Sequence, residues 1–257
     1  MYDSDDEPIT LSSHALAALA EFQAEKDVRQ QNFEKLKTGI TTGAGAGPEA
    51  GGLAATAADD DEPLSMSTFA EDWNESQFWY SDESANVLAE QLLDGASSST
   101  TIGVLSTPSA FIALKNIVRK QPAKDRPKLV LFEHDNRFNV FPEFVFYDYQ
   151  QPLKLPGELK GTLDSVIIDP PFFNDDCQTK FALTARWLLK PSPSPASLPR
   201  VIVCTGETMA DIVTKLYRSF EVRSTTFEPA HSGTLSNHYY CYASFECPSW
   251  TWRPETD

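Results

Sequence analysis

The sequence predicts an α/β domain, with a mostly parallel sheet covered by helices on both faces and an antiparallel strand pair at its C-terminal end. Three observations carry this. From residue 101 onward, short apolar runs alternate with stretches of helical spacing, the order that calls for a parallel sheet. Runs such as "KLVLF" and "SVII" are continuously apolar rather than alternating, as strands covered on both faces must be. The last two runs, "EVRSTTFEP" and "NHYYCYASFEC", do alternate and are joined by "AHSGTLS", which predicts an antiparallel pair.

Taken in order, residues 11–37 read as a helix. Ser12 or Ser13 can cap it, and Leu16, Leu19, Phe22, Phe33 and Leu36 recur at roughly helical spacing. Residues 38–63 are rich in Gly, Ala and Thr and close on acidic residues. Such a segment cannot bury enough apolar surface to offset its ordering entropy, so it is expected to be a flexible linker. The "GAGAG" inside it is not a phosphate loop, because no strand precedes it and no helix follows. These readings divide the chain into an acidic N-terminal arm with its helix (1–37), a linker (38–63) and a folded domain (64–257).

Within that domain an aromatic cluster, "FWY" at 78–80, leads into a helix over about 82–94 with Ser81 as its cap. A strand is expected at 101–107 and a helix at 108–120, with Pro108 in its first turn. Further strands are expected at 128–135, 143–149, 164–169 and 200–206. Helices are expected at 175–189 and 207–220.

In parallel sheets of this kind, ligands bind beyond the carboxyl ends of the strands near the point where strand order reverses. The residues to weigh are those just after each strand. Glu133, or Asp135 two residues on, ends the second strand, where a carboxylate can accept two vicinal ribose hydroxyls side by side. Asp148 ends the third and could accept from an exocyclic amine. The fourth ends in Asp169-Pro170-Pro171-Phe172. Two prolines fix φ and remove two N–H donors, which makes a rigid turn with bared carbonyls. Asp169 and the Pro170 carbonyl together form an acceptor pair for one amino group, and Phe172 offers a face to a planar base or a cationic amine.

"VIIDPPFF" resembles the [DNS]-P-P-[YFW] motif of class I S-adenosyl-L-methionine-dependent methyltransferases that modify amino groups. The blocks "EDWNESQFWYSDESANVLAEQL", "STPSAFIALK", "LFEHDNRF", "FVFYDYQQPLKLP", "VIVCTGETM" and "FEPAHSGTLSNHYYCYASF" occur in an order similar to that of one subfamily. That subfamily is the eukaryotic elongation factor 1-alpha lysine methyltransferases, once classed as N6-adenine-specific DNA methyltransferases. The resemblance covers about 65–247 and the leading helix.

It implies a Rossmann-like sheet of seven strands and S-adenosyl-L-methionine as cofactor. The first-strand loop of this fold usually holds G-x-G, whereas here it reads "LSTPSAF". Anchoring would then fall to the hydroxyls of Ser106, Thr107 and Ser109 and to the amides of the following helix. The resemblance further implies Glu133 at the ribose in preference to Asp135, Asp148 at the adenine, and Phe78, Trp79 and Tyr80 shaping the mouth. Asp169, Pro170, Pro171 and Phe172 would carry the transfer.

Composition narrows the substrate. The formal charge is −16, with −9 in residues 1–62 and −7 in the remainder. A chain this acidic repels phosphate backbones and favours a basic partner. This shifts the expectation from an adenine amine toward a lysine of elongation factor 1-alpha, leaving a nucleic-acid N6-adenine methyltransferase and a non-catalytic module of the same fold as alternatives. The basic cluster of Lys115, Arg119, Lys120, Lys124, Arg126 and Lys128 reads as a solvated face, with a small phosphate-contacting patch as the alternative. The four cysteines form no C-x-x-C pair and no ligand spacing with histidine, so neither a metal site nor disulfides are expected. His14, His134, His231 and His238 read as structural or surface residues. No secretory signal and no membrane-spanning run is evident. A cytoplasmic monomer is expected.

Overall fold

A computed structural model describes residues 12–43 (side chains to 38), 63–69, 71, 77–192, 198–233 and 238–254. It divides into two compact units, one built on the first helix with residues 67–69, the other holding 63–66 and the described residues from 71 onward.

In the first unit, α1 spans Ser13–Gly43. The Ser12 hydroxyl accepts from the Ala15 backbone N–H, as expected of a cap. The helix runs six residues past the end expected at residue 37, into the segment read as linker. Thr38 is accommodated because its hydroxyl donates back to the Glu34 carbonyl. Phe33 meets Phe69 edge-to-face at 6.0 Å, whereas Leu16, Leu19, Phe22 and Val28 are exposed. The rest of the expected linker, 44–62, lies outside the described residues.

The second unit is built on seven strands in the order β3-β2-β1-β4-β5-β7-β6. They are β1 (Thr101–Leu105), β2 (Lys128–Glu133), β3 (Phe144–Phe146), β4 (Ser165–Ile168), β5 (Arg200–Gly206), β6 (Arg223–Ser224) and β7 (Tyr239–Ala243). The first five are mutually parallel, while β7 runs antiparallel to both β5 and β6. This is the expected Rossmann-like, mostly parallel sheet of seven strands with its antiparallel C-terminal pair. Strand order reverses between β1 and β4, which pair directly.

Side chains alternate between the two faces. On one face Leu105, Val166, Ile168, Val201 and Val203 form a core with α4 (Asp175–Leu188) and α5 (Ala210–Leu216), including Phe181, Ala185, Leu188 and Val213. The intervening residues Ile102, Val104, Ile167 and Ile202 are fully buried on the other face. There α2 (Asp82–Leu93) packs on α3 (Pro108–Val118), and both contact the sheet. Ser81 caps α2 by accepting from the Ser84 N–H, and Pro108 opens α3. No helix among the described residues is long and apolar enough to cross a membrane.

The expected bounds contract most at the weakest strands. The run read as a strand from 221 contributes only Arg223–Ser224 to the ladder, after which Thr225 pairs singly with Trp252.

Candidate active site

The carboxyl ends of β1, β2 and β4 are tied together by their own backbones. Ser106 N–H donates to Phe132 O (2.9 Å) and Asp169 N–H to Leu105 O (3.0 Å), while Tyr147 N–H donates to Glu133 O (3.0 Å). Above these ends lies a cavity of about 770 Å³, within the range of small-molecule and cofactor sites. Ser106, Thr107, Ser109, Glu133, Asp135, Asp148, Asp169, Pro171, Phe172, Trp79 and Tyr80 all line it. Of the expected site residues only Pro170 stays out of this wall. It is buried, in the turn that carries Asp169.

The loop after β1 does without glycine at a cost. Ser106 adopts φ +50°, the left-handed region that non-glycine residues rarely enter. Thr107 spends its hydroxyl on the Leu105 carbonyl (2.9 Å), and Ser109 Oγ accepts from the Tyr80 N–H (3.1 Å). Both hydroxyls therefore fix the loop and the aromatic segment in addition to facing the cavity.

At the end of β2, Glu133 is buried while its Oε1 accepts from the N–H groups of His134 (2.7 Å) and Asp135 (3.1 Å). Burial raises its pKa to about 7, against those two hydrogen bonds. Asp135 is committed elsewhere. It caps the following 3₁₀ turn, pairs with Arg137 at 2.6 Å and accepts from Gln77 at 3.0 Å. Among the described residues Glu133 is a buried carboxylate with no ion pair, which leaves it able to accept a ligand's hydroxyls, whereas Asp135 is taken up by Arg137 and Gln77. Asp148 holds its own turn, accepting from Gln150 N–H (2.8 Å) and Gln151 Nε2 (3.1 Å).

Asp169 is the centre of the other half. The Tyr80 hydroxyl donates to Oδ2 at 2.6 Å, and the Tyr239 hydroxyl donates to Oδ1. Burial raises the Asp169 pKa to about 7, with both hydrogen bonds opposing the rise. His231 packs on both tyrosine rings, at centroid distances of 4.9 and 4.7 Å. Its own pKa falls to about 4 because of burial, with Glu71 opposing. Phe173 lies against Tyr239 (5.7 Å), and Phe172 against Tyr149 (5.8 Å). Gln178 on α4 donates to the Phe172 carbonyl (3.3 Å) and to Thr205 Oγ1 (3.0 Å), which locks the motif to the end of β5. Asn174 caps α4 directly behind it.

Sequence reasoning missed Tyr239, Gln178 and the cavity positions of His231 and His134, both of which line the wall. "NHYY" offered only an alternating strand. The remaining signal was an isolated Tyr-Tyr pair next to the fifth strand, whose partner 70 residues earlier is set by topology alone.

The family model described as probable N6-adenine methyltransferase matches residues 71–247. The chain belongs to that family. Among its relatives, the protein-lysine N-methyltransferase EFM5 of Saccharomyces cerevisiae is 41% identical over 256 residues, covering 94% of each chain. The Caenorhabditis elegans protein-lysine N-methyltransferase M142.8 is 35% identical, over 96% of this chain and 98% of that one. Human EEF1A lysine methyltransferase 1 is 32% identical over 94% of each. The family is thus named for an adenine chemistry, while these relatives are named for lysine.

Proposed function

We propose that the chain is an S-adenosyl-L-methionine-dependent protein-lysine N-methyltransferase acting on elongation factor 1-alpha. The observation that carries the chemistry is the carboxylate of Asp169, set among Tyr80, Tyr239, Phe172 and Phe173 at the mouth of a cofactor-sized cavity. The name of the human relative, EEF1A lysine methyltransferase 1, supports the substrate, and that of the yeast relative supports the lysine chemistry. A net charge of −16 also suits a basic protein better than a phosphate backbone. Three buried free cysteines fit a reducing compartment, the cytoplasm.

The residues present fit the cofactor. Glu133 would hold the ribose hydroxyls, and Asp148 stands at the end of β3 on the adenine side. The Ser106–Ser109 loop and the start of α3 would receive the methionine moiety. When bound, S-adenosylmethionine supplies an electrophilic methyl group on a sulfonium.

The chain's own residues do the rest. A lysine side chain enters as an ammonium with a reference pKa of about 10.4 and must present a free lone pair. The aromatic walls desolvate it, which favours the neutral amine. Asp169 accepts an amine N–H and so fixes the direction of the lone pair, a contribution of positioning rather than of strong base catalysis. Phe172 and Phe173 then face the methylated cation, which ring faces attract.

The test is transfer of labelled methyl groups in cytosolic extract, with and without nuclease. Label in one nuclease-resistant basic protein of elongation-factor size is expected. Label in nucleic acid would overturn the reading in favour of the adenine chemistry.

A further inference from the structure

Asp169 receives two phenol hydroxyls from parts of the chain far apart in sequence. Tyr80 stands 89 residues before it and Tyr239 lies 70 residues after it. A carboxylate is acceptor-only when ionised, so both phenols act as donors and one is spent on each oxygen. Both tyrosines keep their protons, because burial, and after it the Asp169 charge, holds each well above its ordinary pKa. The two donors are themselves braced. Tyr80 N–H is held by Ser109, the Tyr80 and His231 backbones bridge, and Phe173 and His231 pack on Tyr239.

We infer that Tyr80 and Tyr239 are positioning residues for the transfer. They form a two-hydroxyl clamp that keeps Asp169 in one orientation, and in the form able to accept from the substrate amine. The inference rests on the proposed amine chemistry of this site and adds the groups that make it work.

The physical reasoning follows from what an unclamped Asp169 would do. Burial alone favours the protonated carboxyl. A protonated carboxyl is a donor, and it would compete for the lone pair that the amine needs for attack. Each phenol hydrogen bond stabilises the ionised form instead, and each leaves one lone pair of its oxygen for the substrate. The phenol oxygens also retain lone pairs, so an entering ammonium meets several acceptors rather than one.

Other groups facing this carboxylate do not supply the missing positive charge. Glu133 lines the same cavity, and its carboxyl and the Cys204 and Cys177 thiols are all pushed towards their protonated forms, chiefly by burial and in part by the Asp169 charge. Neutral His231 touches the tyrosine rings, and Glu71 stands behind it. The clamp is therefore the stabilising contact that the described residues offer the anion.

Tyr239→Phe and Tyr80→Phe test this, because each keeps the ring and its packing while removing one hydroxyl. A hydrogen bond to a charged group is worth roughly ten- to a hundred-fold in an equilibrium, so kcat should fall by about that factor in either variant. KM for the protein substrate should change much less. The acid limb of the kcat/KM–pH profile should move to higher pH by about one unit per hydroxyl removed.

A second readout needs no activity. With the carboxyl carbons of aspartate ¹³C-labelled, NMR titration should place the Asp169 pKa higher in each variant than in the unaltered protein. Unchanged kcat, pH profile and titration in both Phe variants would overturn the inference while leaving the proposed function standing. No transfer to protein by the unaltered enzyme would instead fault the function, and the titration would still decide the clamp.

Discussion

Gly206 closes β5 where the chain has no room for a side chain. A Cβ built there would lie 2.9, 3.0 and 3.2 Å from three carbons of the Phe173 ring. Nine in ten real Cβ contacts lie beyond 3.4 Å and essentially none under 3.0 Å, so in Gly206→Ala the ring must retreat by a few tenths of an ångström, up to about half an ångström. Phe173 is half-buried and leans on Tyr239, whose hydroxyl holds Asp169, so its retreat presses towards the site. Overpacking of this size costs about 1–3 kcal/mol. In a domain of this length that lowers Tm by about 2–12 °C if taken wholly as stability. Because a misplacement of about 1 Å can cost a hundred-fold in rate, half that distance should lower kcat about ten-fold.

The assay is a double-mutant cycle over Gly206→Ala and Phe173→Leu, reading thermal midpoint and methyl-transfer kinetics in each variant. If the clash is with the ring, the alanine should cost markedly less stability once Phe173 is leucine. Additive effects on Tm, or a Gly206→Ala enzyme with normal kcat, would refute the reasoning that links this glycine to Asp169 through Phe173 and Tyr239.

Glu133→Gln should separate two effects of one carboxylate. Because burial raises the Glu133 pKa from 4.5 to about 7, the native state binds more protons than the unfolded chain between those values. The penalty is absent below about pH 4.5 and complete above about pH 7, where it amounts to about 3 kcal/mol. Denaturant titration without cofactor should therefore find the variant more stable than the unaltered protein at pH 8 and equal to it at pH 4, while calorimetry finds weaker cofactor binding. Equal stability at both pH values would count against the buried carboxylate. Ser106 offers a backbone test. At φ +50°, Ser106→Gly should be neutral or stabilising by up to about 1 kcal/mol, and Ser106→Val destabilising by about 1–3 kcal/mol, both read by chemical denaturation.

The sheet was legible because its strands are continuously apolar and separated by helical periods, a pattern that admits few alternatives. The acidic residues and "DPPF" were legible for the same reason, since strand ends in a parallel sheet converge on one edge. Asp169, Glu133 and Asp148 accordingly share one cavity. What stayed hidden is long-range. Tyr80 and Tyr239 reach Asp169 only because β7 inserts beside β5 and the 79–81 segment pairs with 230–232, contacts that no local spacing encodes. Gln178 looked like any polar residue of an amphipathic helix until its amide was found between Phe172 and Thr205. The readings of individual strand ends failed where ladder pairing, rather than composition, decides. "EVRSTTFEP" has the alternation of a full strand, yet the regular ladder stops at Ser224: Thr225 gives both its N–H and its hydroxyl to the Cys241 carbonyl, and the Phe227 carbonyl meets β7 once more through the Cys241 N–H.

The most direct test of the account is to incubate purified chain and labelled S-adenosylmethionine with purified elongation factor 1-alpha, and separately with double-stranded DNA, and to map the product by mass spectrometry. The account predicts methyl groups on a lysine of the elongation factor and none on adenine. It also predicts that Asp169→Ala loses transfer while still binding cofactor. Methylated adenine, or near-normal turnover by Asp169→Ala, would contradict it.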